Sequence, residues 1–306
     1  MRMKCLVSVG LVAALAVACK KEAKDAGGTA ATGTGSGSSA VGSAAGSAAG
    51  SAAAATPTPT RAGSVTLKYV VDPVGAKWTE TEHQRMELDI EAEGQKAQMV
   101  QEKTKTKQTE VLVASAVAVT KAKITYVDLV EKQTLGDKVK EKPAPHEGKL
   151  YILEADPSGT VKVTAADGSP VSAEEEAMIK EDEDSFGKPE KMGKALDGMT
   201  FELGKRVEIP ADRAKGAFGD DDKMKLDTLA LTLTKVEGND AWFDMEMMAS
   251  GESAKGAVLK MSVKGPVHVN LTISKPLEMT LEGTVEMSGA ANAKGTMKMS
   301  GKRTKG

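Results

Sequence analysis

Many metal sites and some catalytic motifs show themselves as donors at short, regular spacing, and this chain offers few. Its three histidines, His83, His146 and His268, are far apart. None has a second histidine at HxH or HxxxH spacing, which would put two imidazoles on one face around a metal. His268 lies between Val267 and Val269, so it is expected on the solvated face of a strand. Two acidic clusters stand out. Asp220, Asp221 and Asp222 in "GDDDK" could offer oxygen ligands to Ca²⁺, but the spaced ligand set ending in Glu of an EF-hand is missing. That stretch reads as a solvated loop, and "EDED", Glu181 to Asp184, as the wet end of a helix. There is no G-x-S-x-G, no P-loop, no dinucleotide fingerprint and no H-E-x-x-H. The expectation is a protein that is not an enzyme and needs no cofactor and no metal.

Methionine is the one unusual inventory, with sixteen residues. Many alternate with polar residues near the C-terminus: Met245, Met247, Met261, Met279, Met287, Met297 and Met299. Thioethers suit three roles. They fill irregular cores, they line adaptable apolar grooves, and they bind Cu(I). The methionines lie on separate runs with little His or Cys to help, so copper ranks last. A packed core is the plainest reading. The functional alternative makes Met245, Met247, Met261, Met279 and Met287 the lining of an apolar-ligand site.

These residues would be positioned by strands. "TLALTLTKV" alternates Leu229, Leu231 and Leu233 with polar or small residues. "WFDMEMM", "VLKMSVK", "PVHVNLTIS", "PLEMTLEGTVEMSG" and "TMKMSGK" repeat the pattern. Period-two alternation puts one face in apolar surroundings and the other in water. Turn signals at Gly238-Asn239-Asp240, Gly251, Gly265-Pro266, Lys275-Pro276 and Gly289 predict six short-turned strands in an antiparallel meander. The first half repeats the theme in "SVTLKYVVD", "RMELDIEAEG", "KITYVDLVEK" (Ile124, Tyr126 and Val130 on one face) and a hairpin turning at Asp156 to Gly159. The polar Lys103–Thr109 stretch fits an edge strand or a long exposed hairpin arm, where lysines deter edge pairing. Between the halves, Ser172 with Glu175 three residues on has the form of a capping box, and a second short helix is expected over Lys188–Leu196. The expected fold is mainly β. It is a curved antiparallel sheet, two sheets or a half-barrel, built from halves at about 64–168 and 199–303 with one or two short helices over about 172–197.

The N-terminus supplies an address. Arg2 and Lys4 precede a 13-residue apolar run, Leu6 to Ala18, which stops at Cys19. A spanning helix needs roughly 20 apolar residues, so the run has the length of a signal-peptide core. "LAVAC" resembles the lipobox of bacterial lipoproteins, with Ala16 where Leu is usual. The resemblance implies cleavage after residue 18 and acylation of Cys19. It also implies an outer-membrane destination, since Lys20 is not the Asp that retains lipoproteins in the inner membrane under the Lol-type sorting rule. Cys5 leaves with the signal, so the mature chain has no thiol pair for a disulfide. Two or three acyl chains, at ~0.8 kcal/mol per buried CH₂, would hold it stably.

Residues 19–62 are dominated by Gly, Ala, Ser and Thr, with "GSAAGSAAGSAA" and then "TPTPT". Such a chain cannot offset its ordering entropy and is expected to be a tether with a root-mean-square reach of roughly 35–40 Å. It would carry a β-rich domain at 63–303. Loss of Arg2 and Lys4 takes the formal net charge from −2 to −4, with both signs interspersed and aromatics at 3%. No nucleic-acid surface is expected from that balance.

The plan of lipobox, low-complexity tether and β-rich domain resembles the uncharacterised envelope lipoproteins of myxobacteria. The domain's succession of amphipathic strands and short helices is similar in plan to Lol-type lipoprotein carriers, whose curved sheet holds acyl chains. The resemblance implies a membrane-anchored lipoprotein, facing the periplasm or the cell surface, that binds an apolar ligand or an envelope protein. A structural or assembly-accessory lipoprotein with a filled core is the alternative, and a hydrolase with an unrecognised site stands third.

Overall fold

The computed structural model describes residues 63–306, apart from 93, 143, 215–223, 253–255 and 290. Cys19, the signal, the tether and the Asp220–Asp222 cluster therefore lie outside the described residues. The fold is mainly β, with one open antiparallel sheet and few short helices. In chain order the elements are β1 (Ser64–Thr66), β2 (Lys77–Ala92), β3 (Gln95–Ala114), β4 (Val119–Leu135), β5 (Lys138–Glu141), β6 (Leu150–Ala155) and β7 (Val161–Ala165). Helices α1 (Ala173–Asp182) and α2 (Lys191–Leu196) follow, then β8 (Thr200–Glu202), β9 (Arg206–Glu208) and α3 (Ala211–Ala214). The meander is β10 (Met224–Glu237), β11 (Asp240–Glu252), β12 (Val258–Asn270), β13 (Lys275–Ser288) and β14 (Asn292–Lys305).

The large sheet runs β7-β6-β4-β3-β2-β14-β13-β12-β11-β10-β9, with β5 on β4. The first long strand of the chain pairs with the last, from Trp78 opposite Lys305 to Glu91 opposite Asn292. This one ladder joins the two halves into a single sheet. Its path ends on the short strands β7 and β9, which limits unpaired edge. The separate pair β1–β8 sits with α2 and α3 on the inner face.

Alternation holds along the meander. Leu229, Leu231, Leu233, Phe243, Met245, Met247, Leu259, Met261, Val263, Met279, Leu281, Val285 and Met287 are all buried in one apolar layer, with Met86, Leu88 and Ile90 of β2. The meander has five strands, not the six expected. Gly265-Pro266 is no turn: both residues continue β12 and pair with β11 at Met245 and Asp244. Pro266 lacks an N–H, and a Cβ at Gly265 would lie 3.2 Å from Leu281 Cα, so the backbones of β12 and β13 run close together here and the strand does not end. Gly283 and Gly295 stand equally close to the neighbouring backbones of β12 and β2. Glycine at these crowded points lets the sheet curl around its methionine-rich face.

A second apolar cluster gathers Ile124, Tyr126, Leu129, Tyr151, Leu153, Val163, Ile179 and Phe186 under α1. A bulge in β4 leaves exposed Val127 out of the ladder, because Asp128 pairs Thr106 while Tyr126 pairs Lys107. The parity shift turns Leu129 inward rather than the expected Val130. Ser172 caps α1 by accepting from Glu175 N at 3.2 Å. The Glu175 carboxylate reciprocates by accepting from the Ser172 backbone N–H, which completes the capping box, and it also takes hydrogen bonds from the Tyr151 hydroxyl and Lys149. Burial raises the Tyr151 pKa, and Glu175 raises it further. Burial would also raise that of Glu175, but the Tyr151 and Lys149 donors outweigh it and hold it below the ordinary value.

The Lys103–Thr109 stretch is not an edge; it lies on a long hairpin arm, but one that is covered on its inner face rather than exposed. β3 lies between β2 and β4, and Lys105 and Lys107 point inward with about 5% exposure. Their partners come from the "EDED" stretch, which is correspondingly not a wet helix end. Lys107 Nζ lies 2.8 Å from Glu183 Oε1 and Lys105 Nζ 3.5 Å from Asp182 Oδ1. A buried ionic seam thus separates the two apolar clusters and seats α1 on the sheet.

Candidate functional site

Two recesses meet where α2 covers the mouth of the curled sheet. The first is apolar and about 80 Å³ in volume. Phe243, Met245, Val267, Val269 and Met279 form its floor, and Met192 and Leu196 of α2 its roof. Strand alternation supplies the floor. The roof depends on Gly193, where a Cβ would lie 2.9 Å from the Tyr69 ring, so the missing side chain lets α2 settle onto Tyr69.

The five methionines assigned from sequence do not form one site. Met245 and Met279 line this recess. Met247 and Met261 are packed inside the apolar layer at 1% and 3% exposure. Met287 lies towards the opposite end of the sheet, in a wide open depression of about 820 Å³ shared with Asp89, Lys96, Lys260 and Glu286. Met192 is a recess residue that period-two reading could not find, because it sits on a six-residue helix.

The second recess is polar and about 90 Å³ in volume. Tyr69, Asp72, Trp78, Glu80, Lys107 and Arg303 stand around it, with Glu183, Glu190 and Lys275. Arg303 Nη2 donates to Asp72 Oδ2 at 2.8 Å, and its guanidinium lies over the Trp78 ring, 4.2 Å from the centroid. Lys275 Nζ donates to Glu190 Oε2 at 2.6 Å. The Tyr69 hydroxyl accepts from Glu190 N at 3.0 Å and donates to Val117 O at 2.7 Å. Glu190 lines both recesses, so the Lys275–Glu190 pair, beside Tyr69, forms the partition between them. Glu183 belongs to the acidic stretch and Lys107 to the lysine-rich strand that the sequence singled out, but nothing in either segment pointed to the other or to Asp72, Glu190, Lys275 and Arg303.

The histidines remain apart. His146 is buried beside Tyr126, with Nε2 3.3 Å from Asp182 Oδ2, and lines neither recess. His268 is half-buried, stacked on Trp242 with ring centroids 4.6 Å apart, rather than simply solvated. His83 is exposed, its Nδ1 3.0 Å from Thr104 Oγ1. Among the described residues, no three His, Cys, Asp or Glu side chains gather where they could hold a metal ion. No described helix is long and apolar enough to cross a membrane.

No protein-family model matches the chain, and no curated protein matches it. A solved structure of lipid–protein interactions in lipovitellin is similar over 74% of this chain, at 6% identity and a TM-score of 0.35. The match spans 25% of that chain's length, and at this TM-score it carries no argument.

Proposed function

We propose that this protein is a non-enzymatic lipoprotein of the bacterial cell envelope, anchored through Cys19, whose β domain takes up an apolar ligand beneath α2. The observation that carries the reading is the apolar recess between Met192 and Leu196 above and Met245 and Met279 below. At about 80 Å³ it is roughly half the volume of an engineered protein cavity that holds benzene, so at rest it admits the tip of an acyl chain. Methionine side chains have three rotatable bonds and re-pack readily, which would let the recess lengthen along the sheet. A Cys19 anchor and the tether would hold that mouth within reach of a membrane, the outer membrane by the sorting resemblance.

The test is displacement of an environment-sensitive fatty-acid probe from the full chain. Single-chain lipids should compete, and Leu196→Trp, which fills the recess with apolar volume, should weaken binding at least about tenfold, or ~1.4 kcal/mol. Incorporation of labelled palmitate in cells, lost in Cys19→Ala, tests the anchor. One observation favours a structural or assembly role instead: Leu233, Met247 and Leu281 are fully packed beyond the recess. Failure of every envelope lipid to bind would decide for that filled-core reading.

A further inference from the structure

The two ends of the large sheet differ in kind. At the end where α2 covers the recess, three connections contain no charged residue: 73–76 before β2, 115–118 between β3 and β4, and 271–274 between β12 and β13. Uncharged sequence runs on through the whole of 111–120. Val74, Val113 and Val117 are 63%, 47% and 47% exposed there. Tyr69 ties the connections together, its hydroxyl on Val117 O and its ring 5.6 Å from Lys275 Nζ. The far ends of the same strands instead expose Glu91, Lys96, Asp137 and Lys138. Exposed apolar residues gathered on one rim mark an interaction surface.

The backbone of this rim is arranged for surroundings without water. Ser115 N donates to Ala118 O at 2.8 Å, and Ser115 Oγ accepts from Val117 N at 3.3 Å and Ala118 N at 3.0 Å. Val117 O accepts from Tyr69. Gly75 N donates to Val111 O at 2.8 Å, Val111 N to Ala76 O at 2.9 Å and Ala76 N to Pro73 O at 3.1 Å. Such internal pairing is what a backbone needs when it meets lipid. The next charges along the strands are matched, Lys77 with Glu110 at 3.4 Å and Lys121 with Glu154 at 2.9 Å. Lys305 is exposed beside them, and its long stem can hold its ammonium at head-group level.

The point where the preceding chain joins the domain favours a membrane as the occupant. Gly63 O accepts from Leu203 N at 2.7 Å, and Leu203 bridges Leu233, near the same end of the sheet. The long strand β2 spans 16 residues, roughly 50 Å, so the charged end is well removed from that point. An anchor at Cys19, on a tether with a reach of roughly 35–40 Å, would hold the uncharged rim towards the bilayer.

Resting on the envelope-anchor reading above, we infer that this rim is a membrane-docking tip, on which Val74, Val113 and Val117 enter the interface of a lipid bilayer with uncharged net head groups. Ser274 and Pro276, on the same rim, line the apolar recess. Docking therefore turns the recess mouth onto the bilayer, and an acyl chain passes between the two without crossing water.

The experiment places an environment-sensitive fluorophore on Val117→Cys, in the full chain carrying Cys5→Ser and Cys19→Ser, and adds phosphatidylcholine vesicles. The emission should shift to the blue and be quenched by brominated acyl chains. The same fluorophore on Val139→Cys, exposed on β5 at the charged end, should stay in water, even where the N-terminal apolar run holds the chain on the vesicle. Val74→Ser should weaken the Val117 response at least about threefold, with little dependence on salt. Leu196→Trp, which fills the recess, should leave docking unchanged, so docking and fatty-acid binding fail separately. A Val117 fluorophore that stays in water, or that enters lipid no more than the Val139 one, would overturn the docking inference and leave the ligand reading to its own test. A blue shift that grows with protein concentration in the absence of lipid would reveal a face between copies of the chain, and would overturn it as well.

Discussion

Gly295→Ala is the sharpest perturbation of the ladder that unites the halves. Gly295 lies on β14 opposite Leu88 of β2 and Val285 of β13. A methyl there would press into the Glu87 carbonyl, 2.7 Å from Glu87 C and 2.9 Å from Leu88 Cα. These are backbone atoms of β2 and cannot rotate away, so β2 must move off β14 locally. Losing about two ladder hydrogen bonds at roughly 0.5–1.5 kcal/mol each, with overpacking strain of about 1–3 kcal/mol, gives a loss near 3 kcal/mol. For a domain of this size 1 kcal/mol shifts the melting temperature by about 2–4 °C, so a fall of roughly 6–12 °C is expected. Thermal melts followed by circular dichroism, with urea titration of the same chain, would measure it. Thr296→Ala changes an exposed neighbour on the same strand and should cost under about 1 kcal/mol. A Gly295→Ala protein melting within about 2 °C of the parent would refute the claim that close backbone approach at glycine shapes this junction.

The remaining predictions concern the seam and the site. Glu183→Gln removes the carboxylate charge 2.8 Å from the buried Lys107 Nζ, and should destabilise by about 2–4 kcal/mol in urea titration. The double substitution Lys107→Met with Glu183→Leu should regain at least half of that loss, because an apolar pair of similar volume needs no desolvation. Leu196→Trp should weaken acyl-chain binding, and Cys19→Ala should abolish palmitate incorporation, each by the assay given above.

Much of the sheet was legible because burial leaves a period-two mark. Leu229, Leu231, Leu233, Phe243, Met245 and Met247 could be assigned to one face before any contact was known, and the structure keeps them there. Two local reversals show where that reading fails. Gly265-Pro266 carries the composition of a turn, yet the strand passes through it, because its place between β11 and β13 supplies the pairing. Val127 shifts parity by one residue, and alternation offers no sign of which residue will bulge. The candidate site was less legible still. Met245 and Met279 look the same in sequence as Met247 and Met261. Only the place where α2 crosses the sheet separates recess lining from filled core.

The sequence by itself determined the local terms: a strand wherever alternation persists and a helix start at Ser172. These follow from interactions within a few residues. The tertiary structure decided which strands are neighbours, and with that the meaning of the charged stretches. "KTKTK" reads as a solvated edge until β2 and β4 flank it and α1 brings Asp182 and Glu183 down onto it. Asp72 and Arg303 stand 231 residues apart and become a pair only when the first long strand closes on the last. A buried charge is tolerated only beside its partner, and the partner's position is a property of the folded sheet rather than of any segment.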